Sequence, residues 1–174
     1  GMNPVIESSM AKIGITLMTR ALDDPDALIF VPAEKVPFTR AAGWGKDYPD
    51  AFTYYLYLFD GRGITPDFSY NEPLVGLTQE QAGKIGIDYP EGGVPSVDAD
   101  IDACIAITDR TERLTCWGEL DKKITEEVVA WVPWLWRNYT NTISDAVSQW
   151  DFDQWVGMQA WVHVAVDPSK QQGL

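Results

Sequence analysis

Residues 41–50, AAGWGKDYPD, constrain this chain more than any other stretch. Phe38, Arg40 and Ala42 alternate with Thr39 and Ala41 as a short strand leading into it. Gly43 and Gly45 then allow a sharp turn and put no side chain over what lies between them. Trp44, Asp47 and Tyr48 thereby bring an indole, a carboxylate and a phenol to one strand-to-loop exit. Pro49 biases Tyr48 to an extended conformation and ends the segment. In an α/β sheet, ligands bind where strand ends run into loops. The alternative is a tight turn whose tryptophan packs on the core and whose aspartate caps the next helix.

Around this segment the chain alternates helical and extended patterns. Asn3 as cap and Pro4 at the first helical position open a helix that Gly14 closes, with Ile6, Met10 and Ile13 as its apolar face. Residues 15–21 alternate as a strand, a turn follows at residues 23–26, and residues 28–31 read as a strand or a helix end. Residues 52–59 predict a helix with Phe52, Tyr55 and Phe59 on one face. Gly, Pro and Asn recur over residues 61–96, which reads as surface loop with one short helix at 78–84. Residues 98–108 and 112–130 predict two helices, the second started by Asp109 and Glu112 in a capping-box-like arrangement. Leu114, Trp117, Leu120, Ile124, Val128 and Trp131 give it a helical stripe that Pro133 ends. Trp134, Leu135 and Trp136 then read as a strand, and residues 160–166 as another.

Several of these strings resemble one protein family in the same order. GWGKDYPD with the following residues 51–61 resembles the GW-x-x-DYPDP…LF segment of family 5 extracellular solute-binding proteins, the peptide- and nickel-type receptors of ABC importers. VDADIDACIAI (residues 97–107) resembles that family's "pevDaaI" helix. DRTERLTCWGELDKKITEEVVAWVPWLW (residues 109–136) resembles its "D..eR…w.elDrkI.eeapwvP" helix and return strand, and residues 3–17 its helix and strand before the GW segment. One departure is Ala51, where the family often has proline.

The resemblance implies an α/β fold: one lobe of a type II periplasmic-binding-protein fold, a mixed sheet flanked by helices, truncated. Residues 1–174 would then be a single partial domain, the C-terminal lobe of a larger two-lobed receptor, with residues 131–174 as a return segment toward the hinge or the other lobe. It also implies an extracytoplasmic location, periplasmic or lipid-anchored in the full-length parent, and an ABC permease as that parent's partner. In peptide-binding members an aspartate of the GW-x-x-D segment holds the ligand's α-amino group. The matching residue is Asp47, with Trp44 as an aromatic wall and Tyr48 at the cleft mouth. Members of the family take up peptides, nickel complexes, heme or oligosaccharides, and a peptide is the favoured ligand here. In the family a strand lies before the helix matching residues 3–13. Its absence predicts a rearranged sheet, with residues 160–166 as substitute, or a homodimer joined through the exposed sheet edge.

Composition narrows the classes further. At 174 residues the chain is the size of one domain and can bury a sizeable core. Its 26 acidic against 13 basic residues give a formal charge of −13, which argues against nucleic acid as a partner. No apolar run reaches membrane-spanning length. Cys104 and Cys116, on two consecutive helices, meet in a helical hairpin as a disulfide or stay apart as two buried thiols. The resemblance to an extracytoplasmic family favours the disulfide. One histidine, His163, and no His/Cys cluster at ligand spacing predict no metal site and no cofactor.

No catalytic residue is assigned, because the hydrolase, P-loop and dinucleotide signatures are missing. Two other classes stay open. A secreted carbohydrate-binding or adhesion module would use Trp131, Trp134, Trp136, Trp150, Trp155 and Trp161 as stacking surfaces, although their periodicity suits core packing. A hydrolase using two of the many carboxylates is the third.

Overall fold

The computed structural model describes residues 3–21, 23, 26–37, 43–133, 140–153 and 157–170. Its helices are α1 (Asn3–Ala11), α2 (Asp26–Ile29), α3 (Phe52–Phe59), α4 (Gln79–Ile85), α5 (Asp98–Ala106) and α6 (Arg110–Lys123). Its strands are β1 (Val147–Gln149), β2 (Phe152–Asp153), β3 (Met158–Gln159) and β4 (Ala165–Val166). Helices and small antiparallel sheets are thus both present, a mixed α/β content.

The core sits where α3, α5 and α6 meet. Leu58 and Phe59 of α3 pack with Ile101 and Cys104 of α5 and with Trp117 and Leu120 of α6. Val75, Val97 and Ile124 complete the cluster. Side-chain caps start α4 and α6. The Asp109 side chain accepts from the Thr111 and Glu112 amides, 2.9 Å each, satisfying orphan donors at the start of α6. At the other end α6 runs into a π-helical turn (Ile124–Val128), closed by the Val129 amide on the Ile124 carbonyl at 2.8 Å. Cys104 and Cys116 are disulfide-bonded, their Cα atoms 5.5 Å apart, and staple α5 to α6.

Residues 61–96 carry the short helix expected at 78–84, as α4, but the rest is not surface loop throughout, contrary to what its Gly, Pro and Asn content predicts. Ile64, Leu77, Ala82 and Ile85 form a second buried cluster there. Asn71 is 2% exposed; its Nδ2 donates to the carbonyls of Asp60 (3.1 Å) and Val75 (2.8 Å), and its Oδ1 accepts from the Val75 amide (3.0 Å). Gln81 closes a capping box with Thr78 and reaches the Gly61 and Ile64 carbonyls through Nε2. Side-chain amides therefore carry the backbone bonds that a ladder would otherwise carry, which lets irregular chain be buried. Close approach adds to this: a Cβ on Gly61 would lie 2.7 Å from the Gly76 carbonyl oxygen.

The expected mixed sheet flanked by helices is absent among the described residues. Residues 15–21 form no strand, and Met18 there is 94% exposed. The Thr19 hydroxyl donates to Glu7 of α1, and the apolar face predicted for α1 buries no residue. Alternation makes a ladder only where a partner strand lies alongside, and none does among the described residues. Two two-stranded antiparallel sheets occur instead, β1 with β4 and β2 with β3. Within residues 160–166, Trp161–His163 is a 3-10 turn and only β4 is a strand. The strand expected before Trp44 (residues 38–42) and the return strand at Trp134, Leu135 and Trp136 lie outside the described residues.

Nor are the tryptophans uniformly core. Trp131 and Trp161, both beyond α6 in the chain, are 51% and 69% exposed. Trp131 keeps one edge on Phe59, the ring centroids 4.9 Å apart, while Trp150 is half-buried beside Phe152. Trp134, Trp136 and Trp155 lie outside the described residues.

Candidate functional site

The turn at residues 47–50 delivers the chain into α3, and its two carboxylates are placed differently. Asp47 is exposed, yet anchored. Its amide donates to Thr53 Oγ1 at 3.2 Å, and that hydroxyl donates back to Asp47 Oδ2 at 2.9 Å. Thr53, in the first turn of α3, is fully buried. Asp50 is half-buried and makes the structural contacts: Oδ1 accepts from the Phe52 amide at 2.9 Å and from Arg113 Nη2 at 3.1 Å. Arg113 Nε lies 2.7 Å from Oδ2, a close ion pair although its N–H is not directed at the oxygen.

Electrostatics follow from that geometry. Burial pushes the Asp50 carboxyl up, but hydrogen bonds from Arg113 and Phe52, with the Arg113 charge and the Trp117 indole, together hold it below the usual carboxylate range. The Trp117 N–H has no partner in hydrogen-bonding geometry, so it acts on Asp50 as a nearby dipole. Arg113 also donates Nη1 to the Ile105 carbonyl at 2.9 Å and lies over the Trp117 ring, 5.6 Å from its centroid. Burial pushes the Tyr48 phenol up, and the nearby Asp50 and Asp47 carboxylates add to this.

Trp44 is half-buried against aromatic neighbours. It stacks on Tyr57 at 5.3 Å and meets Tyr70 edge-on at 4.9 Å. Its indole Nε1 is buried without an acceptor among the described residues. Gly43 and Gly45, read from sequence as the cause of a sharp turn, have no left-handed φ, and a Cβ on either would meet nothing within 4 Å. Tyr48 is 39% exposed and packs its ring near Phe52, 6.1 Å away.

A shallow cleft of about 510 Å³ opens beside this turn, lined by Pro49, Asp50, Ile105, Ile107, Thr108, Arg110 and Arg113. A second, of about 220 Å³, lies between Lys35, Ser69, Glu72 and Ile87. Neither is lined by Trp44, Asp47 or Tyr48. The structure thus puts Asp47 and Tyr48 together on the exposed turn and turns Trp44 onto the aromatic cluster. Among the described residues no group of His, Cys, Asp and Glu could hold a metal ion. His163 pairs instead with Asp151, Nδ1 to Oδ2 at 3.3 Å, both side chains more than half exposed.

Sequence reasoning missed three neighbours of the segment: Thr53, Tyr57 and Arg113. Thr53 and Tyr57 lie on α3, where aromatic density had signalled only core. Arg113 is remote in sequence and meets Asp50 through the packing of α6. No family model, curated protein or solved structure matches the chain.

Proposed function

We propose that this chain is a ligand-binding lobe of an ABC-importer solute-binding protein, acting outside the cytoplasm and capturing a small solute, a peptide above others, by hinged closure against a second lobe. The ordered likeness of four strings to the family 5 receptors supports this reading. So does one observation, which carries the site: Asp47 is exposed at a turn whose backbone and carboxylate are both anchored by Thr53. A fixed carboxylate accepts a charge-assisted bond from a ligand ammonium, and a closing lobe strengthens that bond by excluding water. Tyr48 beside it supplies an aromatic rim. Closure is a population shift between open and closed states, without chemistry on the solute. The disulfide between α5 and α6 is compatible with an oxidising compartment.

The test is an NMR titration of the chain with trialanine and with N-acetyl-trialanine to millimolar concentration. A single lobe offers one wall of a cleft, so the binding will be weak. Trialanine should bind at least tenfold more tightly, and Asp47→Ala should abolish the difference, a loss of about 1.4 kcal/mol or more. Equal binding of both peptides, unchanged in the variant, refutes the reading and leaves Asp47 a structural turn residue. The exposure of Trp131 and Trp161 favours a second reading, a carbohydrate-binding or adhesion module. Cellotriose shifting these two indoles, with no response to trialanine, would support it.

A further inference from the structure

We propose that Thr53 is the positioning residue of the amine site, holding the Asp47 carboxylate in one rotamer with one oxygen left for the ligand; this rests on the reading of Asp47 as the amine-binding group. A threonine in a helix commonly returns its hydroxyl to a carbonyl of the preceding turn. Thr53 does not. Its side chain is fully buried, where an unbonded hydroxyl is costly, and both bonds of its Oγ1 go to Asp47: the Asp47 amide at 3.2 Å and Asp47 Oδ2 at 2.9 Å. Being β-branched, Thr53 has few χ1 states, so the hydroxyl direction is set by the helix itself.

The consequence falls on Asp47. Its backbone and one carboxylate oxygen are tied to the same buried atom, which fixes the torsions between them. Among the described residues nothing bonds Oδ1, and the side chain is exposed. An aspartate with a purely structural role contrasts with this a few residues on. Asp50 is drawn inward and uses both oxygens, on Arg113 and on the Phe52 amide. Asp47 instead has one oxygen committed and one presented. A carboxylate ordered before binding loses no rotamer freedom when a ligand arrives, and an ammonium meets an acceptor already in place.

The experiment uses the intact chain in four forms: wild type, Asp47→Ala, Thr53→Val and Thr53→Ser, with Thr53→Ala as second choice should valine disturb folding. The Asp47 χ1 population is read without ligand from three-bond couplings to 13Cγ. It should be a single rotamer in wild type and Thr53→Ser, and averaged in Thr53→Val. The ratio of Kd for N-acetyl-trialanine to that for trialanine is then read by titration. It should fall about fivefold in Thr53→Val and recover in Thr53→Ser, as expected for loss of one hydrogen bond to a charged group. A single Asp47 rotamer in Thr53→Val overturns the positioning role even if Asp47→Ala abolishes discrimination. So does an averaged rotamer with an unchanged ratio, or equal weakening of both peptides, which would mark Thr53 as structural only. An unchanged ratio in Asp47→Ala overturns the amine-site reading and this inference together.

Discussion

Removing the Asp50–Arg113 pair should cost more than a surface ion pair and less than a buried one. The side chains are 30% and 23% exposed, with Nε 2.7 Å from Oδ2 and Nη2 3.1 Å from Oδ1. Exposed pairs contribute ~0.5 kcal/mol, and breaking a fully buried pair costs ~3–5 kcal/mol. Their partial exposure places the coupling at about 1.5–2 kcal/mol. Asp50→Ala alone should cost about 3 kcal/mol, because the Phe52 amide at the start of α3 loses its acceptor as well. Arg113→Met keeps the stem packing and removes the charge, so a double-mutant cycle with Asp50→Ala isolates the pair. Urea unfolding at neutral pH with the disulfide intact reads all four corners. The pH dependence has a definite sign. Asp50 is held below the usual carboxylate range in the folded chain, so its contribution is fully present above the unfolded carboxyl's pKa. It is lost as pH falls through the lower, folded value. The stability difference between wild type and Asp50→Ala should therefore shrink in acid. A coupling below about 0.5 kcal/mol, or a difference constant down to acid pH, would refute the argument and make the pair an ordinary solvated bridge.

Two further outcomes follow from the same packing. Reducing the Cys104–Cys116 bridge, which spans a sequence separation of 12, should lower stability by about 3 kcal/mol on the chain-entropy estimate. The urea midpoint with and without reductant measures it, and no shift would mean that α5 and α6 are held without the staple. Asn71→Ala should cost about 3 kcal/mol, because the part-buried carbonyl of Asp60 and the buried carbonyl and amide of Val75 all lose their partner. Thermal unfolding reads this, and a loss below about 1 kcal/mol would show that water or rearranged chain takes over those bonds.

What could be read from the residues alone is local. The helix over residues 52–59 and the two helices from residue 98 onward follow from apolar spacing and from caps such as Asp109, whose short side chain can reach only the amides next to it. Gly14 ends α1 at a left-handed φ for the same kind of reason. The turn at residues 47–50 was legible from Pro49 and its aspartates, although the choice between cap and site was not.

Only tertiary structure decided the rest. Whether an alternating run such as residues 15–21 joins a sheet depends on a partner strand that its own residues do not specify. The burial of residues 61–96 depends on Asn71 and Gln81 reaching carbonyls elsewhere in the chain. Asp47 and Asp50 are chemically identical and three residues apart, yet one is exposed on Thr53 and the other is clasped by Arg113. Their fates differ because Arg113 of α6 reaches Asp50 while Thr53 of α3 holds Asp47, and a carboxylate's role is set by what surrounds it in space.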